Sequence, residues 1–166
     1  TKVSKDLSFF TIWIYNSSLL FCKKNKVSFW FLADVSVLGI SAAYVFGRLG
    51  NFFNQELIGR ITDVPWGIYV NQTLRHPSQI YEAILEGLVV FTILVYFRNK
   101  KSFNGQLALM YGGLYSIARI ISEFFRQPDI QLGFLYGQWL TMGILQSVVV
   151  LTVCVLFYIN LKKINS

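Results

Sequence analysis

Apolar residues fill five runs along the chain, at about 7–22, 34–47, 79–97, 106–125 and 138–160, with short polar stretches between them. A helix crosses the hydrocarbon of a bilayer with about 20 residues. The last three runs reach that length. The first two are shorter, which suits a tilted span or one partly buried in protein. The pattern predicts an all-α, multi-pass transmembrane helical bundle of about five spans, forming one membrane domain over residues 1–166. Residues 1–6 read as a polar, frayed start. The apolar runs continue to the C-terminus, which argues against a secretory signal peptide.

Charge refines this picture. Only 14% of the residues are charged, against 54% hydrophobic, whereas soluble domains carry about 25% charged residues. The net charge of +7 is read as the lysine excess of cytoplasmic loops rather than as a nucleic-acid surface. Seven of the nine lysines fall in the segments "KKNK" (23–26), "RNKK" (98–101) and the C-terminal tail. Five spans put these three segments on one side. The N-terminus is then outside and the C-terminus cytoplasmic.

The arginines sort the other way. Arg48, Arg60, Arg75, Arg119 and Arg126, five of six, fall at the outer half. Topogenesis does not place positive charge there. The planar guanidinium binds phosphate or carboxylate through two parallel hydrogen bonds. An anionic lipid headgroup is the expected ligand. The two cysteines, Cys22 and Cys154, sit in or beside apolar runs and are read as small buried hydrophobes. There is no zinc spacing, and neither a metal nor a cofactor is expected.

Two segments concentrate the ionisable groups. In "YSIARIISEFFRQPD", Tyr115, Arg119 and Glu123 are spaced by four and share one helix face. That spacing fits a self-neutralising pair made for packing. It also fits a functional site, as ionisable groups within spans generally do. In "RHPSQIYEAILE", Glu82 and Glu86 are likewise four apart. Glu86 lies deeper and needs a partner such as an arginine. His76, the one histidine, is read as a cap or scaffold, with base catalysis as the alternative. In "FGRLGNFFNQELIGR", Asn51 and Asn54 supply amide groups. Glu56 is placed to orient an arginine, and Gly47, Gly50 and Gly59 allow close backbone approach.

The blocks "GRLGNFFNQELIGRITDVPWG", "RHPSQIYEAILEG", "YSIARIISEFFRQPD" and "LGFLYGQWLTMGI" resemble, in order and spacing, those of bacterial prolipoprotein diacylglyceryl transferases. The resemblance runs from about Val27 to about Ile159. It implies transfer of the diacylglyceryl group of phosphatidylglycerol to the thiol of a prolipoprotein lipobox cysteine, in the bacterial inner membrane. It implies catalytic roles for Arg48, Arg119, Tyr115 and Glu123, and phospholipid binding by Arg48, Asn51, Glu56 and Gly59. Members of the family have seven spans, so about two N-terminal spans are expected to be absent here. They also carry a His-Gly-Gly motif where this chain has "SFFT", Ser8 to Thr11. His76 is then the histidine available as a base. A family member without turnover, acting as a phospholipid- or partner-binding membrane module, is the alternative expectation.

Overall fold

The computed structural model describes residues 2–128, 133, 135–137 and 139–165, and the side chains of these from residue 12 to residue 164. Ser8 to Thr11, the stretch in the place of the family's histidine motif, therefore lies outside the described side chains. So does Gln138, with which the last predicted span begins.

Helix α1 runs Lys2–Asn25 and α2 runs Phe29–Phe53. A further helix begins as α3 (Ser78–Glu82), widens into a π-helical stretch (Ala83–Val89) and finishes as α4 (Val90–Phe97). Helices α5 (Gln106–Glu123) and α6 (Met142–Asn165) complete the fold. Among the described residues, three helices are long and apolar enough to cross a membrane: Phe29–Phe53, Ser78–Phe97 and Met142–Ile164. The chain is a helical membrane protein.

Helix α2 begins five residues before the apolar run that predicts it and ends six residues after. The hydrophobic pattern stops at Arg48. The helix does not, because the Arg48 charge is paired inside the bundle.

The second departure lies in the connection between α2 and α3, where a small hairpin pairs β1 (Ile68–Val70) with β2 (Thr73–Arg75). Its two turn residues, Asn71 and Gln72, have φ of 48° and 63°. Two consecutive positive φ angles fit the twist of a two-residue hairpin turn. Strands of three residues leave no readable alternation, and Asn-Gln is not a strong turn signal. A bridge between Gly59 and Arg126 ties the loop back to the end of α5, and one between Ile61 and Arg75 joins its first part to β2.

Burial is inverted relative to a soluble domain. Asp34, Ser41, Ser78, Glu82, Glu86, Ser116 and Ser122 are buried, whereas Phe46, Phe53, Val149 and Leu156 are exposed. The apolar core is small: Val37, Val90, Leu94 and Leu107. An apolar exterior is matched to lipid, and polar groups are driven inward.

Two close contacts set the helix positions. A Cβ on Gly87, in the π-helical stretch, would stand 2.6 Å from Val45 Cγ2 on α2. The missing side chain lets the two backbones meet there, next to Tyr44 and Glu86. At the other end of α5, Asp34 of α2 receives the backbone N–H groups of Gly105 at 2.9 Å and Ala108 at 3.0 Å, with Lys101 Nζ at 3.0 Å. A helix leaves its first four N–H groups without intrahelical partners. Here a carboxylate from a neighbouring helix takes two of them, which fixes α5 along α2.

Candidate functional site

Six polar side chains from three helical segments converge inside the bundle. From α2 come Tyr44 and Arg48, four residues apart and on one face. Glu82 and Glu86 come from the end of α3 and the π-helical stretch. Arg119 and Glu123 come from α5.

Arg48 Nε donates to the Tyr44 hydroxyl at 2.7 Å, and its Nη1 lies 2.9 Å from Glu82 Oε2. The Tyr44 hydroxyl in turn donates to Glu86 Oε2. Arg119 Nη2 pairs with Glu123 Oε2 at 2.9 Å. Its Nη1 lies between Glu82 Oε2, at 3.5 Å, and Glu86 Oε1, at 3.7 Å. Arg119 thus ties both glutamates of the preceding helix to α5. The deeper glutamate finds the arginine partner that its position demands, though at the longest of these distances. Tyr115 stands 3.4 Å from Tyr44, oxygen to oxygen, with the two rings edge to face.

Helix α6 closes the far side. Thr141 Oγ1 donates to Glu123 Oε1 at 2.9 Å. A Cβ on Gly143 would lie 2.9–3.0 Å from all three atoms of the Glu123 carboxyl group. The Glu123 carboxylate therefore rests against bare backbone. Between α5 and α6 a cavity of about 330 Å³ opens, lined by Arg48, Tyr115 and Arg119 on one side and by Gly143, Gln146 and Ser147 on the other.

The ion pairs are close, but their hydrogen-bonding capacity is not filled. Both oxygens of Glu82, Glu86 Oε1, Glu123 Oε2 and Arg119 Nη1 are buried without a hydrogen-bond partner among the described residues. The 2.9 Å contact from Arg48 to Glu82 is ionic rather than an aligned hydrogen bond. Buried charges ordinarily have partners for all their bonds. A buried set left short is poised to exchange partners with something that enters the cavity.

The residues proposed from sequence divide into three groups. Arg48, Tyr115, Arg119 and Glu123 meet in the cluster. Among the described residues, no hydrogen bond or ion pair joins the side chains of Asn51 or Glu56, or Gly59, to it. Asn51 sits in the last turn of α2, where its carbonyl accepts the Glu56 N–H at 2.9 Å. The exposed Glu56 offers its own carbonyl to Gln79 Nε2 at 2.6 Å, so its backbone, rather than its carboxylate, is engaged. Gly59 is buried, and a Cβ there would collide with the His76 carbonyl; its close approach is to another loop strand. His76 packs among aromatic rings, 5.9 Å from Tyr81 and 5.2 Å from Phe125 between centroids, with Nδ1 3.3 Å from the Tyr81 hydroxyl.

The outer arginines take different partners. Arg60 donates to the carbonyls of Arg126, at 2.9 Å, and Glu123, at 3.3 Å. Arg75 donates to the Gly59 carbonyl at 3.0 Å and to the Gln127 side chain. These two guanidiniums brace the loop against the end of α5. The sequence alone does not single out Tyr44, Thr141 or Gly143. Tyr44 carries a readable signal, being four residues before Arg48. The other two belong to a different helix and have no local signal.

The family model for prolipoprotein diacylglyceryl transferase matches residues 10–160. The chain is 74% identical over 148 residues to the phosphatidylglycerol–prolipoprotein diacylglyceryl transferase of Aliarcobacter butzleri, covering 89% of this chain and 54% of that protein. It is 54% identical over 152 residues to the protein of that name from Campylobacter jejuni, covering 90% and 55%. Against the Wolinella succinogenes protein of the same name it is 51% identical over 147 residues, covering 89% and 54%. The chain spans about half the length of the curated relatives it matches. With the four blocks, the helical membrane fold and the Arg48–Arg119 cluster in place, the chain belongs to the prolipoprotein diacylglyceryl transferase family.

Proposed function

We propose that this chain transfers the diacylglyceryl group of phosphatidylglycerol to the cysteine thiol of a prolipoprotein lipobox peptide. The observation that carries the reading is the pair of guanidiniums, Arg48 and Arg119, lining one cavity while held by carboxylates with unfilled bonds. In the reaction a C–S bond forms at the terminal glycerol carbon of the diacylglyceryl group. The bond from that carbon to the phosphate oxygen breaks. Glycerol phosphate leaves with the electron pair, and the thiol proton passes to a base. The leaving phosphate gains charge, so donors aimed at it lower the barrier, more strongly in a site sheltered from water. Arg48 and Arg119 fill that role, and Tyr115 borders the same cavity.

The thiol is a weak nucleophile until it is deprotonated. His76 is engaged with Tyr81 and Phe125, and among the described residues none of its hydrogen bonds or ring contacts is to the cluster. A cluster carboxylate is the better-placed base, and Glu123 faces the cavity wall formed by α6. A second reading, phospholipid binding without turnover, is favoured by Ser8–Thr11, where no histidine stands. Thioether formation on a lipobox peptide in phosphatidylglycerol vesicles, with lipid binding measured in parallel, separates the two. Transfer is the expected result. Binding alone would establish the second reading, and absence of both would reject each.

The proposed setting is the bacterial inner membrane, with the N-terminus outside and the C-terminus cytoplasmic. The lysine distribution supports it. In intact cells a cysteine placed in loop 98–101 should resist an impermeant thiol reagent, and one placed at Thr73 should react. The reverse pattern would invert the orientation.

A further inference from the structure

A second cavity, of about 210 Å³, lies at the loop-side end of the bundle between β1 and the ends of α2 and α3. Phe52 and Phe53 form one wall, Ile68 to Val70 another, and Gln79 the base. Gln79 is only 1% exposed. Its Nε2 is committed to the Glu56 carbonyl, but its Oε1 is buried and has no hydrogen-bond partner among the described residues. Gln79 thus brings to the cavity lining an amide whose acceptor has no hydrogen-bond partner among the described residues.

The adjoining strand is open in a matching way. Val70 and Thr73 flank the two-residue turn and face each other across the hairpin. They form the hydrogen-bonded pair, so the next pair, Tyr69 and Leu74, directs its N–H and C=O groups outward. On the β2 side the Leu74 carbonyl is taken by the Thr62 N–H at 3.0 Å. On the β1 side the corresponding groups of Tyr69 have no partner among the described residues. One donor and one acceptor at strand spacing, beside a buried amide oxygen, match the backbone of an extended peptide. A glycerol hydroxyl would satisfy Gln79 but would leave the strand edge unused.

The position along the helices links this groove to the ion-pair cluster. Phe52 follows Arg48 by four residues on α2, and Gln79 precedes Glu82 by three on α3. Residues so spaced share a helix face. Both walls of the groove thus continue the faces carrying the Arg48–Glu82 pair, displaced by roughly one turn, about 5 Å.

We infer that this groove holds the acceptor peptide as an added strand on the open edge of β1, with Gln79 Oε1 receiving one of its backbone N–H groups. The peptide class is an extended segment, free of proline at the paired positions, with an apolar side chain for Phe52 and Phe53. The inference rests on the reading of the acceptor as a peptide thiol, and it places that thiol within a residue or two of the cluster.

The test uses the chain in phosphatidylcholine vesicles and a fluorescent lipobox peptide whose backbone amides are N-methylated one at a time. Methylation removes a donor without changing the side chains. Binding should weaken about tenfold at one or two alternating positions, the loss expected for a backbone hydrogen bond, and little elsewhere. Gln79→Leu should weaken the unmodified peptide by a similar factor. The sensitive methylation should then add nothing further. Tyr69→Pro, which removes an edge donor at an exposed strand position where proline is tolerated, should weaken binding without touching a buried contact. Equal tolerance at every amide, or losses that simply multiply, would overturn the inference. So would a Gln79→Leu effect on phosphatidylglycerol affinity with peptide binding unchanged. The transfer reading is judged apart, by thioether formation on the unmodified peptide with phosphatidylglycerol added. Methylation-sensitive binding without thioether keeps the groove and rejects turnover, and thioether without methylation sensitivity does the reverse.

Discussion

Asp34 and Glu82 are both carboxylates with almost no exposure, each on a helix packed within the bundle, and each beside a cation. Their surroundings differ in one respect. Asp34 has its bonds filled: Oδ2 takes Lys101 Nζ and the Gly105 N–H, and Oδ1 takes the Ala108 N–H. Glu82 has two arginines within 3.5 Å and, among the described residues, no hydrogen bond at either oxygen. Closeness of charge is common to both. Completeness of hydrogen bonding is what separates the structural clamp from the carboxylate of the proposed site. A buried charge with every bond made resists rearrangement, whereas one held only by ionic contact can exchange partners at lower cost.

That contrast is broken or sharpened most strongly at Arg48. Its Nε contact to Tyr44 and its Nη1 contact to Glu82 use two edges of the planar guanidinium. Lysine keeps the charge and loses the fork. Arg48→Lys should insert normally, yet lower phosphatidylglycerol-dependent transfer by about 10²-fold or more, the scale of losing a preorganised donor at developing charge. The check is thioether formation per mole of membrane-inserted protein. Wild-type rates would show that charge alone suffices and that the geometry of the cluster is incidental.

Asp34→Asn tests the other member of the pair. Asparagine keeps the shape and one acceptor oxygen. It gives up the charge that balances Lys101 and one of the two acceptors capping α5. The unfolding midpoint in detergent should fall by the equivalent of about 1–3 kcal/mol, the usual range for hydrogen bonds to a charged group. Transfer per folded molecule should stay within about twofold, because the arginine cluster is left intact. A large loss of turnover at unchanged stability would put Asp34 among the functional acids and erase the distinction.

How far each region could be read from sequence follows from the range of its interactions. The Tyr115–Arg119–Glu123 face and the Glu82–Glu86 pair are legible because helical spacing alone brings such residues together. Their meeting with Arg48 is not, because it depends on helices touching at Gly87 and Val45, far apart in the chain. Apolar runs mark the helices but misplace their ends wherever a paired charge lets the helix continue, as at Arg48. The outer arginines look alike in sequence. Only tertiary placement shows that Arg60 and Arg75 hold loop carbonyls while Arg48 and Arg119 face a cavity. Asp34 carries no local sign of its role, since the amides it caps begin seventy-one residues later. Glu123 is legible as a charge but not as an oriented one, because its supports come from α6.

Those supports yield the smallest and most discriminating effect. Thr141 Oγ1 donates to Glu123 Oε1 at 2.9 Å, and the same oxygen accepts the Ile144 N–H at 3.3 Å at the start of α6. The hydroxyl therefore serves both as a helix cap and as a brace for the carboxylate. Thr141→Ser keeps both bonds and should behave as wild type. Thr141→Val loses both, so turnover should fall about 3- to 10-fold through the lost brace and stability by about 1 kcal/mol through the lost cap. Gly143→Ala separates the two. It leaves the cap in place and sets a methyl group where the Glu123 carboxyl rests, 2.9–3.0 Å away. If the brace matters to turnover, Gly143→Ala should reproduce the kinetic loss of Thr141→Val without the loss of its cap. Full turnover in Gly143→Ala, with Thr141→Val lowered only in stability, would assign the hydroxyl to the helix end alone. Glu123 would then be oriented by Arg119 without help from α6.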